Sequence, residues 1–201
     1  MAEGVRYTIG LDLGQSRNHT AMAVMKREWI PATASDFIAS GTRGFTGEYR
    51  HTLVGAERLS LGTPYPRVVG WVKTVAAGLG GEMGAIVVDA SGVGSAVMDL
   101  LRRAEMGVRL VGVVITGNQA TPAPGSGGRT AAGYQTVSRT ELLTKLQVAV
   151  QDEQFKVDRG RCRDWEALRQ ELSLVRLDGK GSSQDDLAFA LALAVWWGVR
   201  R

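Results

Sequence analysis

Hydrophobic and polar residues alternate along the first predicted strand, which covers residues 7–14. With a period of two, its apolar face holds Tyr7, Ile9, Leu11 and Leu13. Its other face holds Thr8, Gly10, Asp12 and Gly14. A carboxylate sealed in apolar packing would be costly, but small neighbours leave room beside Asp12 for water, a cation or a phosphate. The pattern therefore makes Asp12 the first candidate residue of a functional site.

The rest of the first half predicts further strands and one helix. After a polar turn the apolar pattern resumes at 20–25, which predicts a β-hairpin. A third strand is expected around 49–61, where charged side chains indicate an exposed edge. From Pro66, apolar residues three and four positions apart predict an amphipathic helix that ends at Gly80 and Gly81.

A strand, a helix and another strand follow in the order of a parallel crossover. Residues 85–89 are a continuous apolar run that ends in Asp89, as in a strand covered on both faces. A turn at 91–94 leads into a helix, and 109–115 return as an apolar strand, which implies a right-handed crossover. The turn lacks the full glycine-rich phosphate-binding pattern, so a tight turn is predicted there.

Three helices are predicted in the last third of the chain. Ser138 and Glu141 have the spacing of a capping box, and an apolar stripe follows over 142–150. A shorter amphipathic helix covers 165–175, and an all-apolar helix over 187–197 is expected to be buried. These elements predict a single α/β domain over residues 1–201, with a mixed sheet that begins as an antiparallel hairpin and has helices on both faces.

Composition narrows the class of protein. The 201 residues are 44% hydrophobic, enough for one domain with a substantial core, and the net charge of +4 suits a polyanionic partner without requiring one. The single cysteine, Cys162, excludes an internal disulfide and, with two histidines, disfavours a structural zinc site. No signal-peptide pattern opens the chain, and the apolar run at 187–199 is too short to span a bilayer, so we expect a soluble, cytoplasmic protein.

Residues 116–137 are rich in small and turn-forming residues, and Arg129 is their only charge. A loop of that length inside a compact domain is usually mobile or functional, so we expect a mobile loop.

Acidic residues stand where strands end and a helix begins: Asp12, Asp89 and the pair Asp185 and Asp186. If these carboxylates converge, they repel one another unless protons or cations neutralise them, which points to divalent metal. Hard oxygen ligands favour Mg²⁺ or Mn²⁺ over zinc. Two such ions about 3.5–4 Å apart can activate a water and stabilise the leaving oxygen of a phosphodiester.

Each acid also has a purely structural interpretation. Asp12 could bond the backbone of the turn that follows it, and Asp89 could be a turn or capping residue. Asp185 and Asp186 follow Ser182 and Ser183 by three residues, so helix capping and the helix dipole account for both acids.

An ordered set of motifs resembles the nuclease domain of bacteriophage terminase large subunits, over nearly the whole chain. The motifs are Gly10-Leu11-Asp12-Leu13-Gly14 leading to Thr20-Ala21, then Val88-Asp89-Ala90-Ser91-Gly92-Val93-Gly94, the segment 138–146, and Gln184-Asp185-Asp186-Leu187-Ala188-Phe189-Ala190-Leu191-Ala192. The resemblance implies a ribonuclease H-like fold and metal-dependent cleavage of double-stranded DNA during genome packaging.

The same resemblance implies roles for individual residues. Asp12 and Asp89 would be catalytic metal ligands, and Asp185 or Asp186 would supply a third carboxylate for two Mg²⁺ or Mn²⁺ ions. The candidate phosphate contacts are Arg129, Arg139 and Lys145. The expected partners are DNA and, beyond it, a packaging ATPase domain, a small terminase subunit and a portal.

The chain departs from the family at Asn18, where an aspartate is common, and at Gln184, where a histidine is common. No Walker A motif precedes the domain in this sequence, so we expect either an excised nuclease domain or a free-standing relative without the packaging ATPase. Three alternatives stay open: a RuvC-like junction-resolving nuclease, an actin-like or sugar-kinase-like ATPase fragment, and a non-catalytic DNA-binding scaffold.

Overall fold

The computed structural model describes residues 4–14, 18–32, 47–80, 82–92, 94–117, 134–175 and 185–199. The strands are β1 Arg6–Asp12, β2 Ala21–Pro31, β3 Gly47–Arg58, β4 Glu82–Asp89, β5 Leu110–Thr116, β6 Gln135–Ser138 and β7 Lys156–Val157. The helices are α1 Tyr65–Gly78, α2 Gly94–Arg103, α3 Arg139–Gln151, α4 Trp165–Leu174 and α5 Asp186–Gly198.

The strands form one mixed sheet in the order β6-β5-β4-β1-β2-β3-β7. The β1–β2 and β2–β3 pairs are antiparallel, which confirms the predicted hairpin and adds a third antiparallel strand. The β1–β4, β4–β5 and β5–β6 pairs are parallel, as the strand–helix–strand order predicts. The chain therefore has the mixed α/β sheet that its hydrophobic pattern indicates.

The alternation in β1 divides the protein into two cores. Ile9 and Leu11 are fully buried in the core that includes Val68 of α1 and Val97 of α2. The opposite face packs against α3, α4 and α5. Asp12 shares this second face with Gly10, because residues two apart on a strand point the same way.

Helix α5 is buried along nearly its whole length, as its all-apolar sequence predicts. It crosses β1 so closely that a Cβ added to Gly10 would lie 2.0 Å from the Ala190 carbonyl oxygen and 2.7 Å from the Ala194 nitrogen. Only glycine fits this contact, which sets the distance between the helix and the strand that ends in Asp12. None of the helices in the described residues is long and apolar enough to cross a membrane.

Two short strands were not predicted. β7 pairs with β3 through Thr52 and Leu53, so the prediction that β3 is an exposed edge is wrong. β6 pairs with β5 inside the stretch predicted as a loop, so that stretch ends earlier than expected. The rest of the predicted loop, 118–133, lies outside the described residues and its mobility stays a prediction.

Candidate active site

The candidate site lies where the two central parallel strands end. Asp12 is the last residue of β1 and Asp89 the last residue of β4. The β1–β4 register pairs Leu11 with Val88, so the two aspartates are the next residues along adjacent strands. Both are half-buried and point to the face that α5 covers. Strand register alone brings together two acids that are distant in sequence.

The first turn of α5 adds two more acids to this edge. Asp185 is the N-cap residue of the helix, and Asp186, the first helical residue, is 2% exposed. The backbone N–H of His19 donates to Asp186 Oδ2 at 3.2 Å. The His19 ring is itself anchored, since Nδ1 donates to the Leu59 carbonyl oxygen at 2.8 Å. The turn after β1 is thus tied directly to the start of α5.

The strand register and the start of α5 bring four acids to one edge of the sheet, and the pKa of Asp12 responds to the other three. Burial is the largest effect and raises the pKa of Asp12 well above its ordinary value. The charges of Asp89, Asp186 and Asp185 raise this pKa further, against one backbone hydrogen bond from Leu13. Burial also raises the pKa of Asp89 and of Asp186. This edge of the sheet therefore favours a proton or a cation among its carboxylates.

Among the residues that the structure describes, no group of three or more His, Cys, Asp or Glu side chains forms a ready-made metal site. The chemistry of the donors nevertheless fits a hard divalent ion, because the clustered side chains offer only carboxylate oxygens. A cation would remove the repulsion that raises the Asp12 pKa. The side chains therefore suit such an ion by their chemistry.

The two adjacent acids of α5 differ in their contacts. Arg139 Nη2 donates to Asp185 Oδ2 at 2.6 Å, and its guanidinium lies 4.2 Å over the Phe189 ring. Asp186 instead accepts the His19 backbone hydrogen bond. Asp185 is therefore paired with a guanidinium, whereas Asp186 is held by a backbone N–H and lies near the charge of Arg58.

The predicted phosphate contacts have different surroundings. Arg139 is paired with Asp185, as described above. Lys145 makes an ion pair with Glu141 at 3.1 Å and lies 5.8 Å from the centre of the Trp196 ring. Arg129 lies outside the described residues. Contacts of these three side chains with DNA stay predictions.

The proposed roles of these acids in turns and helix caps are confirmed for Asp89 but not for Asp185. Asp89 Oδ1 accepts the Ser91 N–H at 2.8 Å, so Asp89 fixes the turn after β4. Gly92 adopts a positive φ of 52°, which confirms the tight turn. Asp185 makes no side-chain cap to α5, so helix capping does not explain it. Ser182 and Ser183 lie outside the described residues.

A buried ion pair beside the acids was not predicted from the sequence. Arg58 ends β3, and its guanidinium pairs with Glu171 of α4, a carboxylate that is 4% exposed. Glu171 follows Leu168 by three residues and so lies on the apolar face of the helix, a signal that the sequence already contained. A charge on the buried face of a helix requires a partner.

No protein-family model and no curated protein matches the chain. Solved structures do: the large terminase nuclease from thermophilic phage G20c is 18% identical, with a TM-score of 0.54 over 96% of this chain and 82% of that chain. A mutant nuclease domain of the large terminase subunit of bacterial virus Sf6, solved with manganese and beta-thujaplicinol, gives a TM-score of 0.58 at 14% identity, over 97% of this chain and 89% of its own. The same mutant domain with manganese gives a TM-score of 0.53.

At these identities the similarity is one of fold, and it extends over nearly the whole chain. The chain has the ribonuclease H-like fold of terminase large-subunit nuclease domains.

Proposed function

We propose that the chain is a divalent-metal-dependent endonuclease that cleaves double-stranded DNA, as in phage genome packaging. The observation that carries the proposal is the gathering of Asp12, Asp89 and Asp186 at one edge of a terminase-nuclease-like sheet. Carboxylates that repel one another inside a protein reduce its stability, and a cation that binds among them offsets that cost.

Asp12, Asp89 and Asp186 would hold Mg²⁺ or Mn²⁺, with Asp185 as a fourth acid when it leaves Arg139. Two such ions would activate a water and stabilise the leaving oxygen of the phosphodiester. Manganese is present in both Sf6 nuclease structures, which supports a hard divalent ion by analogy with that protein.

The residues of the chain supply position and charge. The His19 N–H fixes one oxygen of Asp186, and the Ser91 N–H fixes one oxygen of Asp89. The remaining oxygens are then oriented before a cation arrives, which lowers the entropic cost of binding it. Helix α5 shields this side of the cluster from water.

Basic side chains would position the DNA. Arg139 and Lys145 lie on α3, where Arg139 pairs with Asp185 and Lys145 with Glu141. Arg129 belongs to the predicted loop. A DNA phosphate would compete with the present carboxylate partners of Arg139 and Lys145, so affinity should fall steeply with salt. In packaging, a motor ATPase domain, a small terminase subunit and a portal would hold this nuclease on DNA in the host cytoplasm.

The test is cleavage of supercoiled plasmid at low salt in Mn²⁺, Mg²⁺ or EDTA. Asp186→Asn removes one charge from the cluster, whereas Asp99→Asn removes an exposed charge on α2 and is the matched control. We expect metal-dependent cutting by the native chain and by the control, and none by Asp186→Asn. Asp185→Asn should retain more activity than Asp186→Asn, because Arg139 already neutralises Asp185.

Equal cutting by the native chain and by Asp186→Asn would contradict the proposal. DNA binding without cutting would favour the non-catalytic scaffold. A strong preference for four-way junctions over linear duplex would favour a RuvC-like resolvase, which shares the fold and the metal chemistry. Thermal stabilisation by nucleotides without cutting would favour an ATPase fragment.

A further inference from the structure

A row of residues across the sheet links the acidic cluster to the buried ion pair. Asp12 of β1 pairs with Ala21 of β2, and Ala21 pairs with Arg58 of β3. Arg58 therefore lies at the same end of the sheet as Asp12. Its backbone N–H donates to Asp164 Oδ2 at 2.7 Å, which fixes the end of β3 to the chain just before α4.

The two carboxylate oxygens of Glu171 contact different elements, the end of β3 and the start of α5. Oε1 pairs with the Arg58 guanidinium, and Oε2 accepts the Ala188 backbone N–H at 2.7 Å. Ala188 is in the first turn of α5, where N–H groups have no partner within the helix. The N-cap residue of α5, Asp185, makes no side-chain cap. Glu171 thus takes over from another helix a capping role that Asp185 does not perform.

Arg58 also acts on the acidic cluster. Burial has the largest effect on the Asp186 pKa and raises it, while the His19 N–H and then the Arg58 charge lower it. The Arg58 guanidinium therefore pairs with Glu171 and also acts on Asp186 through its charge. Without the negative charge on Glu171, the guanidinium would be an unbalanced, partly buried cation, and its charge already acts on Asp186.

We propose that Glu171 is a positioning residue for Asp186, since it caps the first turn of α5 and holds the Arg58 guanidinium away from the Asp186 carboxylate. The inference rests on the proposed function, because it concerns the acid that would bind metal. It assigns Glu171 no contact with the metal or with DNA. Its consequence is that metal affinity depends on the charge of a residue outside the ligand set.

A contribution to stability alone explains the Arg58–Glu171 ion pair less well than a positioning role does. Buried ion pairs are weak stabilisers, and apolar side chains of the same volume often replace them without loss. An apolar pair could not accept the Ala188 N–H or balance a charge beside Asp186. The second oxygen of Glu171 thus makes a contact that a purely stabilising ion pair would not need.

The test uses the full-length chain and Mn²⁺ alone, measured by titration calorimetry at low salt, with thermal unfolding in EDTA to report folding. Glu171→Gln keeps an acceptor for Ala188 but leaves Arg58 unbalanced. The double variant Glu171→Gln with Arg58→Gln removes both charges. Glu166→Gln is the matched control, because Glu166 is an exposed, ion-paired acid on the same helix.

We expect Glu171→Gln to weaken Mn²⁺ binding by about tenfold or more, the usual loss when an outer partner of a metal ligand is changed. The double variant should return to within about threefold of the native affinity, because the competing cation is gone, and Glu166→Gln should bind as the native chain does. A purely structural role predicts that the losses appear in the melting temperature, with Glu171→Gln less stable than the double variant, while folded Glu171→Gln binds Mn²⁺ as the native chain does.

Native-like binding by folded Glu171→Gln would overturn the inference, and so would failure of the folded double variant to regain affinity. If Glu171→Gln does not fold, the double variant alone tests the inference. Mn²⁺ binding by the folded double variant that is about tenfold weaker than native would then overturn the inference. Equal Mn²⁺ binding by the native chain and by Asp186→Asn would overturn the proposed function together with the inference. That result is distinguishable, because it involves neither Glu171 nor Arg58.

Discussion

Replacement of Gly10 by alanine would push α5 away from β1. The new Cβ would lie 2.0 Å from the Ala190 carbonyl oxygen, about 1.4 Å short of ordinary contact, and 2.7 Å from the Ala194 nitrogen. Both atoms belong to the backbone of a buried helix, so neither can swing aside as a flexible side chain would. The helix must move or the strand must bend.

The expected cost follows from this geometry. Overpacking of a well-packed core costs about 1–3 kcal/mol, and a clash against helix backbone belongs at the upper end of that range. A loss of about 3 kcal/mol lowers the melting temperature of a domain of this size by about 6–12 °C. Because α5 carries Asp186, Mn²⁺ binding should weaken even where the Gly10→Ala chain remains folded.

Gly70→Ala is the control, since Gly70 lies within α1 and a Cβ there would meet no atom within 4 Å. Alanine should stabilise that helix by about 0.8–1 kcal/mol and raise the melting temperature by about 2–4 °C, with unchanged Mn²⁺ binding. The measurements are thermal unfolding in EDTA and Mn²⁺ titration below the transition. Native stability and native Mn²⁺ affinity in Gly10→Ala would refute the claim that this contact sets the site.

Three further predictions follow from the acids and their partners. In EDTA, Asp12→Asn should be more stable than the native chain at pH 7, because the raised pKa of Asp12 means that its ionised form destabilises the folded state. This penalty is complete above the raised pKa and falls as the pH drops from there towards 3.8, so an unfolding series over pH should show it in the native chain and not in the variant. Arg139→Gln should lower the melting temperature in EDTA but gain more stabilisation from Mn²⁺ than the native chain, because Asp185 then joins the unbalanced acids; equal gains would contradict this. Ser138→Ala removes the acceptor of the Glu141 N–H at 3.0 Å and should cost about 1 kcal/mol in urea unfolding while plasmid cutting is retained.

Local patterns predicted the strand ends of the site but not the choice between neighbouring acids. Asp12 and Asp89 were found because a period of two and a continuous apolar run define where strands end. Asp185 and Asp186 are adjacent, so no periodicity separates their roles. Arg139 separates them, and it lies 46 residues away in sequence. The difference between the two acids therefore depends on a tertiary contact that local sequence patterns do not reveal.

The same limit explains the missed strands and the missed ion pair. β7 has two residues and β6 has four, too few for any alternation, and each exists only because a neighbouring strand offers unpaired backbone groups. Glu171 on an apolar helix face was visible in the sequence, but its partner on β3 was not. A buried charge in a helical stripe predicts that a partner exists without identifying it.

The charges at this edge of the sheet predict that metal and DNA bind with positive coupling. Five carboxylates lie at this edge and carry five negative charges when ionised: Asp12, Asp89, Asp185, Asp186 and Glu171. Two arginines, Arg58 and Arg139, add two positive charges. The resulting formal charge of minus three repels a phosphate, whereas two divalent ions would make the edge plus one, which a single phosphodiester neutralises. A nuclease-resistant duplex should therefore bind more tightly in Mn²⁺ than in EDTA, and Asp99→Asn should show the same gain because its charge is exposed on α2. Equal affinity in both conditions would mean that DNA is held away from the acids, and the cluster would then lose its role in cleavage.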